Sequence, residues 1–267
     1  MRRLRLVLEY DGSRFCGFQR QPDRRSVQET LETALSGPCG HPVRVVAAGR
    51  TDTGVHAVGQ VVHFETSGRI PAERLEPVAN SLLNGELVLR QVEETDPRFH
   101  ARYSAATRTY RYYVTTRQPT PFAAPFVLYE PRLREHAAER MASALRPLTG
   151  RHDFATFCGG METHTTVRTL HSARVQRQGE LLRVELTADA FLRSMVRLIT
   201  GMLLEVGRGR AEPESLLQAL ERRDRAAAGM AAPPHGLFLR RVDYPDGYPP
   251  QVSAEPVGFA EEWTGVP

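Results

Sequence analysis

The stretch from Ala47 to Gln60 reads Ala-Ala-Gly-Arg-Thr-Asp-Thr-Gly-Val-His-Ala-Val-Gly-Gln. A guanidinium (Arg50), two hydroxyls (Thr51, Thr53), a carboxylate (Asp52) and an imidazole (His56) crowd into seven residues. Gly49, Gly54 and Gly59 recur every five residues and permit tight backbone turns that other residues resist. A carboxylate in such a setting can act as a nucleophile, splitting one hard step into two. A guanidinium within ~4–6 Å would lower its pKa by roughly 1–3 units and keep it ionised. The Gly49-to-Gly54 spacing matches a phosphate-binding loop, but the Lys-Ser/Thr that must follow is missing. Spacing alone leaves two readings open. One is an active-site loop; the other is a β-hairpin turn in which Asp52 bonds its own backbone.

Composition removes several chemistries. All 35 Lys+Arg residues are arginine, so a Schiff-base lysine and a phosphate-loop lysine are excluded. The net charge of +4 suits a polyanionic partner, and arginine both forks onto phosphate and stacks on bases. Cys16, Cys39 and Cys158 are scattered, which predicts reduced thiols in a cytoplasmic protein and no zinc site. No His-Glu-x-x-His pair occurs among the nine histidines, so no metal is expected. The apolar run at the N-terminus is too short for a signal peptide, and no run approaches the ~20 residues of a membrane span.

The elements that must position the loop follow from periodicity. Residues 3–10 alternate, with Leu4, Leu6, Leu8 and Tyr10 on one face, as in a strand. Ser26 opens a helix with Glu29 three residues on, a capping box, and Gly37 is expected to close it. Strands are predicted at 43–48, 58–66 and 86–93, with a helix at 72–84. That order is β-α-β-β-α-β, the ferredoxin-like unit. The second half repeats it: a strand at 106–115, a helix at 133–146, a hairpin of 168–177 and 180–187, an amphipathic helix at 190–206, a short helix from Pro213 and a strand at 236–244. The expectation is α+β: two tandem ferredoxin-like units with mostly antiparallel sheets and a central catalytic cleft. The boundaries are 1–104, 105–245 and a Pro/Gly-rich tail at 246–267. Between 97 and 129 stand Arg98, Arg102, Arg108, Arg111 and Arg117, interleaved with Phe99, Tyr103, Tyr110, Tyr112 and Tyr113 and with no acidic residue. That mixture predicts a surface tracking an RNA backbone.

Gly-Arg-Thr-Asp-x-Gly-Val-His-Ala (49–57) followed by Gly-Gln-Val-Val-His-Phe (59–64) resembles the catalytic motif of the tRNA pseudouridine synthase A family. Further segments resemble that family in the expected order. They are Leu-Glu-Tyr-Asp-Gly-Ser-Arg-Phe-Cys-Gly-Phe-Gln (8–19), Arg-Phe-His-Ala-Arg-Tyr-Ser-Ala-Ala-Thr-Arg-Thr-Tyr-Arg-Tyr (98–112), Gly-x-His-Asp-Phe-Ala-Thr-Phe (150–157), Phe-Leu-Arg-Ser-Met-Val-Arg (191–197) and Gly-Leu-Phe-Leu (236–239). Together they span nearly everything from residue 4 to 245. Thr53 stands where family members often carry alanine.

The resemblance implies isomerisation of uridine to pseudouridine in the tRNA anticodon stem-loop, at positions 38, 39 and 40, by a homodimer without a cofactor. It implies Asp52 as the catalytic aspartate, Tyr110 as the active-site tyrosine and Arg197 as the basic partner of the aspartate. A target base must leave its stack to be reached, and an aromatic plane suits it. Arg50 and His56 are the remaining expected substrate-binding residues. Arg193 and Arg197, four apart, are predicted on one helix face. Two alternatives stand beside this reading. A non-catalytic tandem RNA-binding module would not need Asp52, and the RNP1 pattern is missing. A glycosyl hydrolase would be expected to offer paired carboxylates, where this loop offers one.

Overall fold

The computed structural model describes residues 1–160, 165–245 and 248, and the chain divides into two compact units. The first comprises Met1–Ala106 with the described chain from Leu239; the second is Thr107–Phe238. The expected 246–267 tail lies, except for Tyr248, outside the described residues.

The first unit runs β1 (Arg2–Tyr10), α1 (Val27–Cys39), β2 (Val46–Ala47), β3 (His56–Thr66), α2 (Ala72–Leu82) and β4 (Leu87–Thr95). β1 lies between β4 and β3 and is antiparallel to both, with Leu4 opposite Phe64 and Leu8 opposite Gln60. β2 pairs with β3 through Val46–His63 and Ala47–Val62. The expected β-α-β-β-α-β order is therefore present. Leu4, Leu6 and Leu8 are fully buried, as are Leu31 and Leu35 of α1 and Leu75 of α2. Ser26 caps α1 by accepting the Glu29 amide, as the capping box requires. The helix does not stop at Gly37. It continues through Pro38 and ends at Gly40, which takes the left-handed conformation at φ 72°.

The second unit runs β5 (Thr107–Thr115), β6 (Leu128–Tyr129), α3 (Ala137–Leu145), β7 (Gly150–Asp153), β8 (Val167–Gln178), β9 (Leu181–Ala188), α4 (Met195–Gly207) and α5 (Ser215–Arg222). Its strands are ordered β5-β9-β8-β7, antiparallel throughout, and β6 joins β5 in parallel. α4 buries Met195, Leu198, Ile199, Leu203 and Val206 completely. A Cβ at Gly207 would come within 2.8 Å of Leu133 and 2.9 Å of Met141, so α4 sits close on α3 there. The final strand, β10 (Leu237–Asp243), was expected to close the second unit. The strand is present: Leu237 and Phe238 belong to the second unit, and its residues from Leu239 to the first, where β10 pairs with β3. No described helix is long and apolar enough to cross a membrane.

Candidate active site

The Asp52 loop spans residues 48–55, between β2 and β3. Its base is closed by the Ala48 amide, which donates to the Val61 carbonyl at 2.8 Å. Its tip is a turn in which the Val55 amide donates to the Asp52 carbonyl at 3.1 Å. Gly54 follows at φ 77°, a conformation that glycine adopts without strain.

Thr51 anchors the loop from inside. It is 5% exposed, its carbonyl accepts the Phe18 amide at 3.1 Å, and its hydroxyl lies 2.9 Å from the Tyr10 hydroxyl. Burial pushes the Tyr10 phenol up to about 12, against the opposing pull of its bonds to Thr51 and Gln60. The phenol therefore stays protonated at neutral pH. It can accept from Gln60 Nε2 at 3.4 Å and donate to Thr51. Gln60 Nε2 also donates to the Gly49 carbonyl at 2.9 Å. Tyr10 of β1 and Gln60 of β3 thus grip the loop on both sides of Arg50.

A second set of contacts holds the other end. His56 is 1% exposed, and its Nδ1 accepts the Gly12 amide at 3.0 Å. Asp11 Oδ1 lies 3.3 Å from the same nitrogen, a contact that would need a proton there. The Gly12 amide and the Asp11 carboxylate thus meet at one ring nitrogen. Burial pushes the Asp11 carboxyl up. Hydrogen bonds on its oxygens, from His56 and from the Ser13 hydroxyl and amide, outweigh that and hold it at about 2. A Cβ at Gly12 would overlap the Val55 carbonyl, and one at Gly17 would come within 3.1 Å of the Thr51 carbonyl. Two glycines of the 8–19 segment therefore let the backbone lie directly against the loop.

Between these anchors Arg50 is exposed, Asp52 half-buried and Thr53 exposed. The first unit thus brings Arg50, Asp52 and His56 onto one loop, with Asp52 half-buried and His56 folded inward. His56 is a latch on Gly12 rather than an open side chain. The sequence offered no reason to single out Tyr10, Gln60, Gly12 or Gly17, although all four lie inside the quoted motifs.

Tyr110 and Arg197 lie in the second unit. Tyr110 is the fourth residue of β5, opposite Leu186, and its ring meets Phe191 edge-on at 5.0 Å. It is 8% exposed. Arg197 lies in the first turn of α4, where its Nε donates to the Ala232 carbonyl at 2.8 Å and its own carbonyl accepts the Ala232 amide. A guanidinium beside the positive end of a helix opposes the macrodipole, so an anion near it would be favoured twice over. Its charge reaches Tyr112, whose phenol burial nevertheless drives up. Arg193 is not on this helix. α4 begins at Met195, after Ser194 in the left-handed region at φ 57°.

The basic and aromatic stretch of 97–129 is only partly a surface. Phe99, Tyr110 and Tyr112 are buried, Arg108 is 7% exposed and donates to the Asp189 carbonyl, and Arg111 pairs with Glu185 at 2.6 Å. Tyr103, by contrast, is 77% exposed. The strand alternation put the aromatic and basic residues of β5 into the sheet rather than onto solvent. His152-Asp153 braces a loop: Asp153 Oδ1 accepts from the Ala155 amide and the Thr166 hydroxyl. Among the described residues, no group of three or more His, Cys, Asp or Glu side chains is placed to hold a metal ion.

Comparison with known proteins agrees with the motifs. A family model described as tRNA pseudouridine synthase matches residues 6–104 and 144–245. The chain is 41% identical over 247 residues to tRNA pseudouridine synthase A of Bacillus subtilis (strain 168), covering 91% of this chain and 99% of that one. It is 40% identical over 248 residues to the protein of the same name from Exiguobacterium sp., covering 91% and 98%. It is 43% identical over 254 residues to that from Synechococcus sp., covering 92% and 84%. With the match running through both units and through the Asp52 loop, the chain belongs to the tRNA pseudouridine synthase A family.

Proposed function

We propose that this protein isomerises uridine to pseudouridine in tRNA, at positions 38, 39 and 40 of the anticodon stem-loop, with Asp52 as its nucleophile. The N1–C1′ bond of the uridine breaks, the uracil turns while held, and C5 bonds to C1′. The C5 proton leaves and N1 takes one up, so the product is an isomer. The reaction is redox-neutral and needs no cofactor.

The observation that carries this reading is the build of the Asp52 loop. Residues on either side of the half-buried carboxylate are pinned by Tyr10, Phe18, Gln60 and Gly12. A turn residue serving only the fold would not require so much fixing. Precise placement matters because a nucleophile gains most of its advantage from being held in near-attack geometry. Tyr110 offers the aromatic plane for the extruded base. Arg197 supplies a basic residue for the reaction, and Arg50 meets the RNA beside Asp52. The enzyme acts as a homodimer in the cytoplasm, where its substrate is made.

The test is tritium release from tRNA transcripts carrying 5-tritiated uridine, because forming the C5 bond expels the C5 hydrogen. Wild type should release tritium. Asp52→Asn, which keeps the shape and removes the charge, should release none while binding tRNA as tightly. Equal release by both proteins would remove Asp52 from the chemistry. Binding without release by the wild type would favour the silent RNA-binding module.

A further inference from the structure

The turn at residues 100–104 of the first unit holds a ladder of rings that runs from the core to solvent. His63 of β3 is 5% exposed, and its imidazole lies 4.8 Å from that of His100. His100 in turn lies 4.4 Å from the Tyr103 ring, with the planes inclined by 30°. Tyr103 ends the ladder at 77% exposure.

The turn is fixed by its own hydrogen bonds. His100 Nδ1 accepts the amides of Arg102 and Tyr103, both at 3.2 Å. The Ser104 hydroxyl accepts the His100 amide at 3.0 Å, and the Ser104 amide donates back to the His100 carbonyl at 2.9 Å. His63 Nδ1 accepts the Ala101 amide at 3.1 Å. Five hydrogen bonds thus fix the turn that presents this ring. The Arg102 guanidinium lies 5.6 Å from the ring centroid. Burial, and the charges of Arg3 and Arg102, push the His100 imidazole down, so the ring beneath Tyr103 is neutral near pH 7.

From this geometry we infer that Tyr103 is a stacking platform for an unpaired nucleobase of the RNA substrate, with Arg102 meeting an adjacent phosphate. A ring backed by His100 and 77% exposed is what a base needs, and every base has a π-face to offer. A protein partner fits less well. A stable protein interface needs on the order of 1,000 Å² with an apolar centre, and the turn surrounds its ring with His100, Arg102 and Ser104. The inference rests on tRNA being the substrate. It is independent of the role given to Asp52.

The test uses a fluorescein-labelled tRNA transcript and the full-length protein, with Tyr103→Leu, Tyr103→Phe and Arg102→Gln. Tyr103→Leu keeps bulk and loses the π-face; it should weaken tRNA binding about tenfold. Tyr103→Phe should bind within about twofold of wild type. Arg102→Gln should weaken binding and reduce the slope of log K against log salt by about one. Thermal midpoints should stay at the wild-type value. Binding by Tyr103→Leu within twofold of wild type would overturn the platform. So would a change in oligomeric state by light scattering, which would assign the ring to a second copy of the chain. A wild-type protein that binds tRNA without tritium release would overturn the synthase reading alone, and the affinity loss would still stand.

Discussion

His63 makes the fold sensitive to mild acid, and the size of the effect follows from its surroundings. Its Nδ1 accepts the Ala101 amide and its other nitrogen donates to the Val46 carbonyl, so the neutral ring is fully used. Burial, with help from the positive charge of Arg3 and from that of His100 once it is protonated, pushes its pKa down to about 4, against an ordinary value near 6.5. Below pH 6.5 the unfolded chain takes up a proton that the folded chain refuses. Stability is therefore intact above pH 6.5 and is lost as pH falls from there through 4. Linkage gives a loss of about 2 kcal/mol between pH 7.5 and pH 5 from this one group. His63→Gln can accept from Ala101 and donate to Val46 without titrating. Urea unfolding of both proteins at pH 7.5, 6.0 and 5.0 isolates the contribution. The wild type should lose about 2 kcal/mol more than the variant over that range. A difference below about 0.5 kcal/mol would refute the account, because it would mean that the folded protein accepts the proton. Carboxylates held low, such as Glu130 at about 2 between Arg132 and Arg208, act at lower pH and do not confuse the window.

Four further outcomes are expected. Tyr10→Phe removes the hydroxyl that links Thr51 to Gln60; denaturation should show about 1–2 kcal/mol lost, and single-turnover tritium release should slow at unchanged tRNA affinity. Gly12→Ala pushes a methyl into the Val55 carbonyl, and it should depress tritium release strongly with tRNA affinity retained, as measured on the soluble fraction. Ser26→Ala deletes the α1 cap and should lower stability by about 1 kcal/mol by urea titration, with tritium release unaffected. Binding to tRNA should weaken steeply with salt, because contacts to phosphate displace counterions; a flat plot of affinity against salt would contradict it.

Much of this architecture can be read from the sequence, and the failures share a cause. Alternation over residues 3–10 finds β1, and the Ser26–Glu29 box finds the start of α1, because both are local. The strand expected at 43–48 shrinks to Val46–Ala47 because side chains capture its donors: Val43 donates to the Ser36 hydroxyl and Val45 to Glu32. The helix expected from 190 starts at Met195 because the Cys158–Gly160 segment packs against its approach. A Cβ at Gly159 would come within 2.9 Å of Ser194. No pattern within residues 190–206 carries that contact. The Asp52 loop was legible as chemistry, but its supports were not. Tyr10 and Gln60 read as ordinary strand residues until β1 and β3 are paired in register. The aromatics of 98–112 misled for a related reason: composition counts a ring whether it faces the core or the solvent.

The return of β10 to β3 also bears on how the protein is made. The first unit is written in residues 1–106, yet the strand that pairs alongside β2 on β3 is written at 237–243. During synthesis the ribosome must therefore add more than a hundred residues after Ala106 before the sheet under the Asp52 loop is complete. At cellular elongation rates that delay is on the order of ten seconds. Throughout it the nascent chain carries along β3 an edge that only the short β2 covers, the kind of edge that recruits other strands. Maturation of the loop is thus timed by the far end of the message, and an abandoned, truncated translation product would be left unfinished at its candidate reactive centre.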